Sequence, residues 1–486
     1  WVLILRFLQA NLTPNDCSWY RCNSVFLLHL FMGRDLAREL DYHDQRCPVR
    51  LDHSQGWDLT WTQFIRLGKC HSRAINYPGI TVGLLCQKSF SKRIFDGTSQ
   101  MMPHSTDRFR FIDVSRILGI ALMYYGHTIE SLMKTGNETA AMHYKFIYSF
   151  HMPLFFILSG YLASTALDSK GWSLFLRKQA LSRLLPYALF TGLLLLPTLI
   201  FPSQSVGLDL TTVDGYTKGL LATFVGGFPM FNIPTWFLIC IFVVELLHYG
   251  CRRFLLTRIS TVGLCLSIYV VGSVSAWYAT WLNPLNMLGP NGLILPYFML
   301  LEALTGYAFY LFGLILKDLG FFRHFETTVR QFGLMFGCLF LVVYLYDLNQ
   351  GMFTLPTYDA VVMAGSSHGN TILFPITAIL GSIAVMIAGR LLSGSQVLQF
   401  LGANTLVIFA LNGAFYHFTN DPLARWIHPY LAADGILVFV YGVLVSGLSL
   451  GLTIPVFIVC NRWIPQLIGR PGTEGPILPR LVDKAP

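Results

Sequence analysis

The sequence predicts an all-α protein of the polytopic membrane class, a bundle of about ten transmembrane helices. The chain has 486 residues, of which 54% are hydrophobic and only 12% are charged, whereas about 25% of the residues of ordinary soluble domains are charged. The mean hydropathy is positive, +0.54. Apolar segments of helix length recur through most of the chain, as expected of helices that cross a hydrocarbon core. These observations exclude a large soluble core.

The first hundred residues lack this pattern. They carry scattered charged residues, Trp, Cys and His without a sustained period, and the chain begins at Trp1. The segment Met101-Met-Pro-His-Ser-Thr-Asp-Arg-Phe-Arg110 resembles a natural start, a short polar leader ahead of a first membrane helix. We therefore expect residues 1–100 to be a non-native upstream extension or a poorly ordered region; the alternative is a small cytoplasmic domain. A ten-span membrane domain is predicted for residues 101–472, and a cytoplasmic tail for 473–486.

Ten hydrophobic segments are predicted to cross the membrane, and clusters of Gly, Pro and Asn separate them. They lie at 110–131, 144–166, 183–202, 233–250, 259–282, 296–316, 331–347, 371–390, 398–418 and 435–460. The connections on one side of the membrane hold most of the basic residues after residue 101, and those on the other side have only Lys134, Lys145, Lys218 and Arg425. Basic residues collect on the cytoplasmic side. We therefore expect a multi-pass protein of the plasma (inner) membrane, with both ends of the ten-span unit in the cytoplasm.

The first predicted span carries two ionisable groups, Arg116 and His127. Such groups cost at least about 2.5–3.5 kcal/mol each inside hydrocarbon and usually serve a function there. Eleven residues separate them, which is about three helical turns, so both point the same way about 16 Å apart. Asp113 and Glu130 fall on the same arc. This polar face suits a long, thin, polar ligand; the alternative is that Arg116 pairs with Asp113 and His127 hydrogen-bonds a neighbouring helix.

The first two spans together resemble one family of membrane enzymes. Arg116 and His127 form an Arg-x10-His pattern, and the second span contains Phe150-His-Met-Pro153 followed by Leu-Phe-Phe-Ile-Leu-Ser-Gly160. This combination resembles the membrane-bound acyltransferase-3 family. The Ile-Asp before Arg116 and the string Ile-Tyr-Ser-Phe-His-Met-Pro most resemble its fucose 4-O-acetylase-like branch. The resemblance covers about residues 107–472.

The resemblance implies an enzyme that transfers an acyl group, usually acetyl, from cytoplasmic acyl-CoA to a carbohydrate hydroxyl. Acyl transfer to an alcohol needs a base, and histidine is suited to that task near neutral pH. His127 would remove the proton of the acceptor hydroxyl or first accept the acyl group itself. Glu130 would orient its imidazole, and Arg116 would fix the donor or offset charge that develops in the tetrahedral state.

Further residues are candidates for binding the donor. His151 and Ser159 lie in the second span, where Pro153 is predicted to break the helix and Ser159-Gly160 to allow another backbone to approach. The remaining candidates are basic residues before the third span, which could hold the CoA phosphates: Arg177, Lys178 and Arg183. The alternatives are a packed kink at His151 and plain topology charges before the third span.

The expected partners are acyl-CoA, a carbohydrate or lipid-linked glycan acceptor and membrane lipid, without nucleic acid. Acetyl-CoA is expected as a co-substrate, without a permanently bound cofactor. The ten cysteines include no paired Cys-x-x-Cys units, so we expect no metal site. The second function class that fits the intramembrane charges is a transporter or flippase for an acylated or lipid-linked glycan.

Overall fold

A computed structural model describes most of the chain after residue 106. The described ranges are 107–163, 171–201, 204–205, 208–255, 257–278, 297–324, 327–351, 353–354, 359–431 and 434–482. The expectation for residues 1–100 lies outside the described residues. So do the last four residues of the predicted tail.

The described residues form fifteen α-helices and two short hairpins. The helices are α1 (Asp107–Met133), α2 (Glu138–Tyr148), α3 (His151–Leu162), α4 (Trp172–Gln179), α5 (Leu185–Ile200), α6 (Val213–Leu221), α7 (Trp236–Cys251), α8 (Arg258–Tyr278), α9 (Leu300–Asp318), α10 (Thr328–Leu345), α11 (Leu373–Leu391), α12 (Gln396–Ala403), α13 (Thr405–Phe418), α14 (Asn420–Leu431) and α15 (Gly435–Trp463). The antiparallel hairpins are β1 (Gln204–Ser205) with β2 (Leu208–Asp209), and β3 (Phe353–Thr354) with β4 (Asp359–Ala360).

Seven of the helical stretches are long and apolar enough to cross a membrane, and the bent pair α12–α13 makes an eighth if it forms one span. The prediction of an all-α, polytopic membrane bundle is therefore confirmed. The peripheral helices α8, α10 and α15 bury less than a quarter of their apolar windows, as expected of surfaces that face lipid. The first two predicted spans are helical but fall outside this set, because α1 carries many polar residues and the second is broken.

Helix α1 is central to the bundle, which explains how it carries a polar face. It packs against α2, α3, α11, α12, α13, α14 and α15. Ile112, Ile120 and Tyr124 are almost fully buried against these neighbours. A helix surrounded by protein can hydrogen-bond its polar side chains to other helices, so it does not need the apolar surface of a lipid-facing span.

The second predicted span is two helices joined at Ser149 and Phe150. Helix α2 ends at Tyr148, and α3 begins at His151. The sequence predicted the break at Pro153; the structure places it upstream, at Ser149 and Phe150, so that prediction is wrong. Pro153 lies in the first turn of α3, where its missing N–H costs little because that donor has no partner within the helix.

Helix α3 packs closely on α9 through glycine. A side-chain carbon on Gly160 would collide with the backbone carbonyl of Tyr310, and one on Gly313 would collide with that of Ile157. Small residues at such crossings allow backbones to approach without a void. The close approach expected at Ser159-Gly160 is therefore present.

A buried segment between α10 and α11 completes the core around α3. Ser366 donates a hydrogen bond of 2.8 Å to the carboxylate of Glu302 on α9, which also accepts one from the Tyr297 hydroxyl. His368 lies 3.1 Å from the hydroxyl of Thr305. These contacts hold the 3-10 turn Met363–Gly365 against the helices.

Candidate active site

A cavity of about 480 Å³ opens beside the C-terminal half of α1. Its walls are mainly apolar and aromatic, and they include Trp236, Phe228 and the turn Met363–Gly365. Its polar groups are His127, Glu130, Tyr144, Tyr148, His151 and Tyr416. A largely apolar pocket with a few convergent polar groups is typical of a small-molecule site.

His127 and Glu130 lie one helical turn apart and contact each other in this cavity. The Nδ1 atom of His127 is 3.3 Å from Oε2 of Glu130 and 3.2 Å from the hydroxyl of Tyr148. The side chain of His127 is 12% exposed, and that of Glu130 is equally buried. The i, i+3 spacing places both groups on one face of α1, as the sequence predicted.

Both carboxylate oxygens of Glu130 are engaged by donors from three elements. Oε2 accepts a hydrogen bond of 3.1 Å from the hydroxyl of Tyr148 on α2. Oε1 accepts one of 2.9 Å from the hydroxyl of Tyr416 on α13, and it forms an ion pair of 3.0 Å with Nζ of Lys134. The carboxylate is therefore fixed in position, and it fixes the imidazole in turn.

This arrangement favours one tautomer of His127. A proton on Nδ1 can be donated to Glu130, which leaves the lone pair on Nε2. No hydrogen bond to Nε2 is found within the described part of the chain. An imidazole held in this way can act through Nε2 as a general base or as a nucleophile.

His151 reaches the same cavity from the start of α3. Its Nδ1 contacts the backbone carbonyl of Ile147 at 3.1 Å, and its ring lies 4.5 Å from the ring of Tyr148. The residue is 1% exposed. Of the predicted site residues, the structure therefore brings together His127, Glu130 and His151.

Arg116 lies away from this group. Its guanidinium pairs with Asp113 at 3.2 Å, and its side chain is 33% exposed. Because α1 is continuous, the eleven residues to His127 span about 16 Å. Arg116 does not line the cavity, so the contact with Asp113 that the sequence left as an alternative is present.

The other predicted donor-binding residues also lie outside the cavity. Arg183 forms a two-pronged contact with Glu245 on α7, at 2.7 and 3.2 Å. Arg177 donates to the carbonyl of Leu481, and Lys178 is exposed. The hydroxyl of Ser159 donates to the Phe155 carbonyl one turn back, at 2.7 Å. These side chains are not brought together with His127.

Three polar residues of the site are not among the predicted site residues. Tyr148 lies three residues before His151, within the string that carries the family resemblance. Lys134 lies four residues after Glu130, and this i, i+4 spacing is a local signal for an ion pair. Tyr416 is 286 residues away from Glu130 in the sequence, so its position becomes apparent only once α13 packs on α1.

No group of three or more His, Cys, Asp or Glu side chains with metal-binding geometry occurs in the described ranges. Of residues 107–109, at the start of α1, only the helical backbone is described. The cysteines of the first hundred residues lie outside what the structure describes.

Comparison with known proteins gives a family and one curated relative. The profile of the acyltransferase-3 family, described as an acyltransferase domain, matches residues 109–458. The nodulation protein NolL of Mesorhizobium japonicum is 33% identical over 133 residues, which cover 26% of this chain and 35% of that protein. The chain therefore matches only about a third of that relative's length. No solved structure matches the chain.

Proposed function

The chain belongs to the acyltransferase-3 family of membrane acyltransferases, and from this premise we propose that it is an O-acetyltransferase acting on carbohydrate. Family membership makes the protein an acyltransferase, which supports the enzyme over the transporter as its function class. The donor that we propose is cytoplasmic acetyl-CoA or another acyl-CoA. The acceptor that we propose is a hydroxyl of a sugar or lipid-linked glycan.

The observation that carries the proposal is the contact of His127 with Glu130 in a cavity large enough for a small acceptor. In the proposed reaction Nε2 of His127 removes the proton of the acceptor hydroxyl. At the same time the hydroxyl oxygen bonds to the carbonyl carbon of the thioester. The tetrahedral intermediate then collapses, the C–S bond breaks, and the CoA thiolate takes the proton from the imidazolium. The products are an ester and free CoA. In a second version Nε2 attacks the thioester carbonyl and expels the CoA thiolate; the acceptor hydroxyl then attacks the acyl-imidazolium, its proton passes to the thiolate, and the imidazole is released.

Glu130 is suited to stabilise the imidazolium that forms in this step. Its carboxylate lies against Nδ1, and three further donors hold it there. A fixed negative group needs no reorganisation when the positive charge appears. We assign Glu130 a positioning and electrostatic role.

The donor route that we propose begins at the basic side of the bundle. Arg177 and Lys178 are exposed and suit the CoA phosphates. Arg183 suits them less, because Glu245 already pairs with its guanidinium. Arg116 would hold the pantetheine arm along α1, and His151 and Ser159 on α3 would line its path toward His127.

The sidedness of the reaction follows from the charge distribution. The cavity is built from the C-terminal end of α1, from Phe228 and from Met363–Gly365, all of which lie at predicted non-cytoplasmic ends or connections. Both ends of the bundle are proposed to face the cytoplasm of a plasma (inner) membrane protein. The acyl group would therefore be drawn from the cytoplasmic side toward an acceptor on the opposite side. The resemblance around Arg116 and His151 favours the fucose 4-O-acetylase-like branch.

The test is acetyl transfer by the full chain purified in detergent. Acetyl-CoA is supplied with and without a panel of p-nitrophenyl glycosides, and released thiol and acetylated glycoside are both measured. We expect thiol release that depends on a glycoside and matches the ester formed. Acetyl-CoA that stays intact with every glycoside would contradict the proposal.

A further inference from the structure

A second cavity, of about 490 Å³, lies next to the first at the C-terminal end of α1. Five residues line it: Ser131, Lys134, Thr135, Asp421 and Arg425. The first three come from the last turn of α1 and the turn that follows, and the last two lie on α14. In contrast to the first cavity, all five lining residues have polar or charged side chains.

The two cavities have no lining residue in common, but their linings contact each other. Lys134 lines the second cavity, and its Nζ lies 3.0 Å from the carboxylate of Glu130, a residue of the first. The same ammonium lies 5.2 Å from the ring centroid of Tyr416, another residue of the first cavity. A ligand in the second cavity would therefore sit one side chain away from the His127–Glu130 pair.

Two polar atoms of this lining have no partner in the described part of the chain. Oγ of Ser131 is one, in a residue only 2% exposed, and Oδ1 of Asp421 is the other. Thr135 differs, because its hydroxyl is engaged by the Leu132 carbonyl and by His428. A buried polar atom without a partner is destabilising, and in native proteins it is usually satisfied by a group that binds there.

The charges of the lining select the kind of ligand. Lys134 is already paired with Glu130, so its ammonium is not free to pair with an anionic ligand. Asp421 would repel a phosphate or carboxylate, yet its free oxygen needs a donor. A neutral ring with several hydroxyls satisfies the whole set, because each hydroxyl both donates and accepts. It can donate to Asp421 while it accepts from Arg425.

We propose that this second cavity binds a neutral sugar ring of the acceptor, adjacent to the ring whose hydroxyl is acylated. The assignment rests on the proposed carbohydrate acyltransferase function and deepens it. Asp421, Arg425 and Ser131 are its binding residues. Their role is to hold the acceptor chain so that the next ring reaches His127.

The test is the binding of sugars to the full chain in detergent, measured by thermophoresis. The probes are neutral methyl glycosides of fucose, glucose, galactose, mannose and N-acetylglucosamine, with glucose 1-phosphate as the anionic comparison. We expect at least one neutral glycoside to bind, and Asp421→Asn to weaken that binding about tenfold because it removes a charged acceptor. Arg425→Gln, at an exposed position, is expected to weaken it as well. Asp214→Asn serves as the matched control, since Asp214 forms only an exposed pair with Lys218.

The outcomes separate this inference from the proposed function. Absence of neutral glycoside binding, or binding unchanged in both Asp421→Asn and Arg425→Gln, would overturn it. Tighter binding of glucose 1-phosphate that Asp421→Asn strengthens would also overturn it, in favour of an anion site. The variant His127→Ala should keep glycoside binding and lose acetyl transfer. If the wild-type chain binds glycosides but never consumes acetyl-CoA, the proposed function fails and the sugar site stands.

Discussion

At the scale of single residues, Glu130 connects more of the site than any other side chain described above. It contacts His127 on its own helix, Tyr148 on α2 and Tyr416 on α13. The contact with His127 is local in sequence, whereas those with Tyr148 and Tyr416 are long-range. The sequence could therefore identify His127 and Glu130 from their spacing on one helix, but the tyrosines depend on how three helices pack.

Replacing Tyr416 by Phe tests this support. The change removes one donor to Oε1 of Glu130 and keeps the ring against His127, 4.8 Å away. We expect kcat to fall roughly 5- to 30-fold with little change in the KM for acetyl-CoA, because the lost bond is worth about 1–2 kcal/mol. Steady-state kinetics measure this. Tyr430→Phe is the control at an exposed tyrosine, and equal activity of the two variants would refute the role given to Tyr416.

Arg116 gives a second prediction at this scale. Arg116→Lys keeps the charge but loses the planar set of five donors. If Arg116 fixes the donor, we expect the KM for acetyl-CoA to rise about tenfold or more, with Arg480→Lys at the exposed pair with Glu474 as the control. Should lysine restore most of the activity, Arg116 acts only as a charge and its assignment as a donor-binding group is wrong.

At the scale of elements, the sequence predicted where the helices lie, but it did not predict where the second predicted span is broken. Each of the ten predicted segments contains helix, because runs of apolar residues are a strong signal. The break at Ser149 and Phe150 carries no Gly or Pro of its own, so the pattern pointed to Pro153 instead. The buried segment 361–369 between α10 and α11 was not predicted either. Ser366 and His368 join it to Glu302 and Thr305 on α9, and such tertiary contacts have no local signature.

The crossing of α3 and α9 provides a prediction about stability. Gly160→Ala places a methyl group against the Tyr310 backbone, which cannot move without shifting α9. We expect a loss of about 1–3 kcal/mol, the usual range for overpacking, and a lower thermal unfolding midpoint in detergent. The matched change Gly171→Ala meets no atom within 4 Å and should leave the midpoint unaltered. Equal midpoints for the two variants would contradict the close packing.

At the scale of the whole molecule, the charge distribution and the cavity agree on a direction for the reaction. The sequence predicted the cytoplasmic side from Lys and Arg alone. By the same prediction, the residues that line the His127 cavity belong to helix ends and connections on the opposite side, which supports the proposed direction. The walls of that cavity could not be predicted, because they come from segments more than two hundred residues apart in the chain.

Single-cysteine labelling tests the direction. In a cysteine-free background, Lys218→Cys is expected to react with an impermeant maleimide on intact cells, and Lys178→Cys only after the cells are opened. Both side chains are exposed or half-exposed, so reactivity reports the side of the membrane rather than burial. Labelling of position 178 on intact cells would overturn the topology and the donor route together.

The central claim is that His127 performs the transfer and that Glu130 positions its imidazole. The most direct test is His127→Ala in the acetyl-CoA and glycoside assay. We expect the rate of ester formation to fall at least about 100-fold, the usual contribution of a general base, while expression and the elution profile in detergent stay normal. His143→Ala, which loses only a contact with Tyr125 outside the cavity, should retain most of its activity. Ester formation by His127→Ala at a rate close to that of the His143→Ala control would contradict the claim.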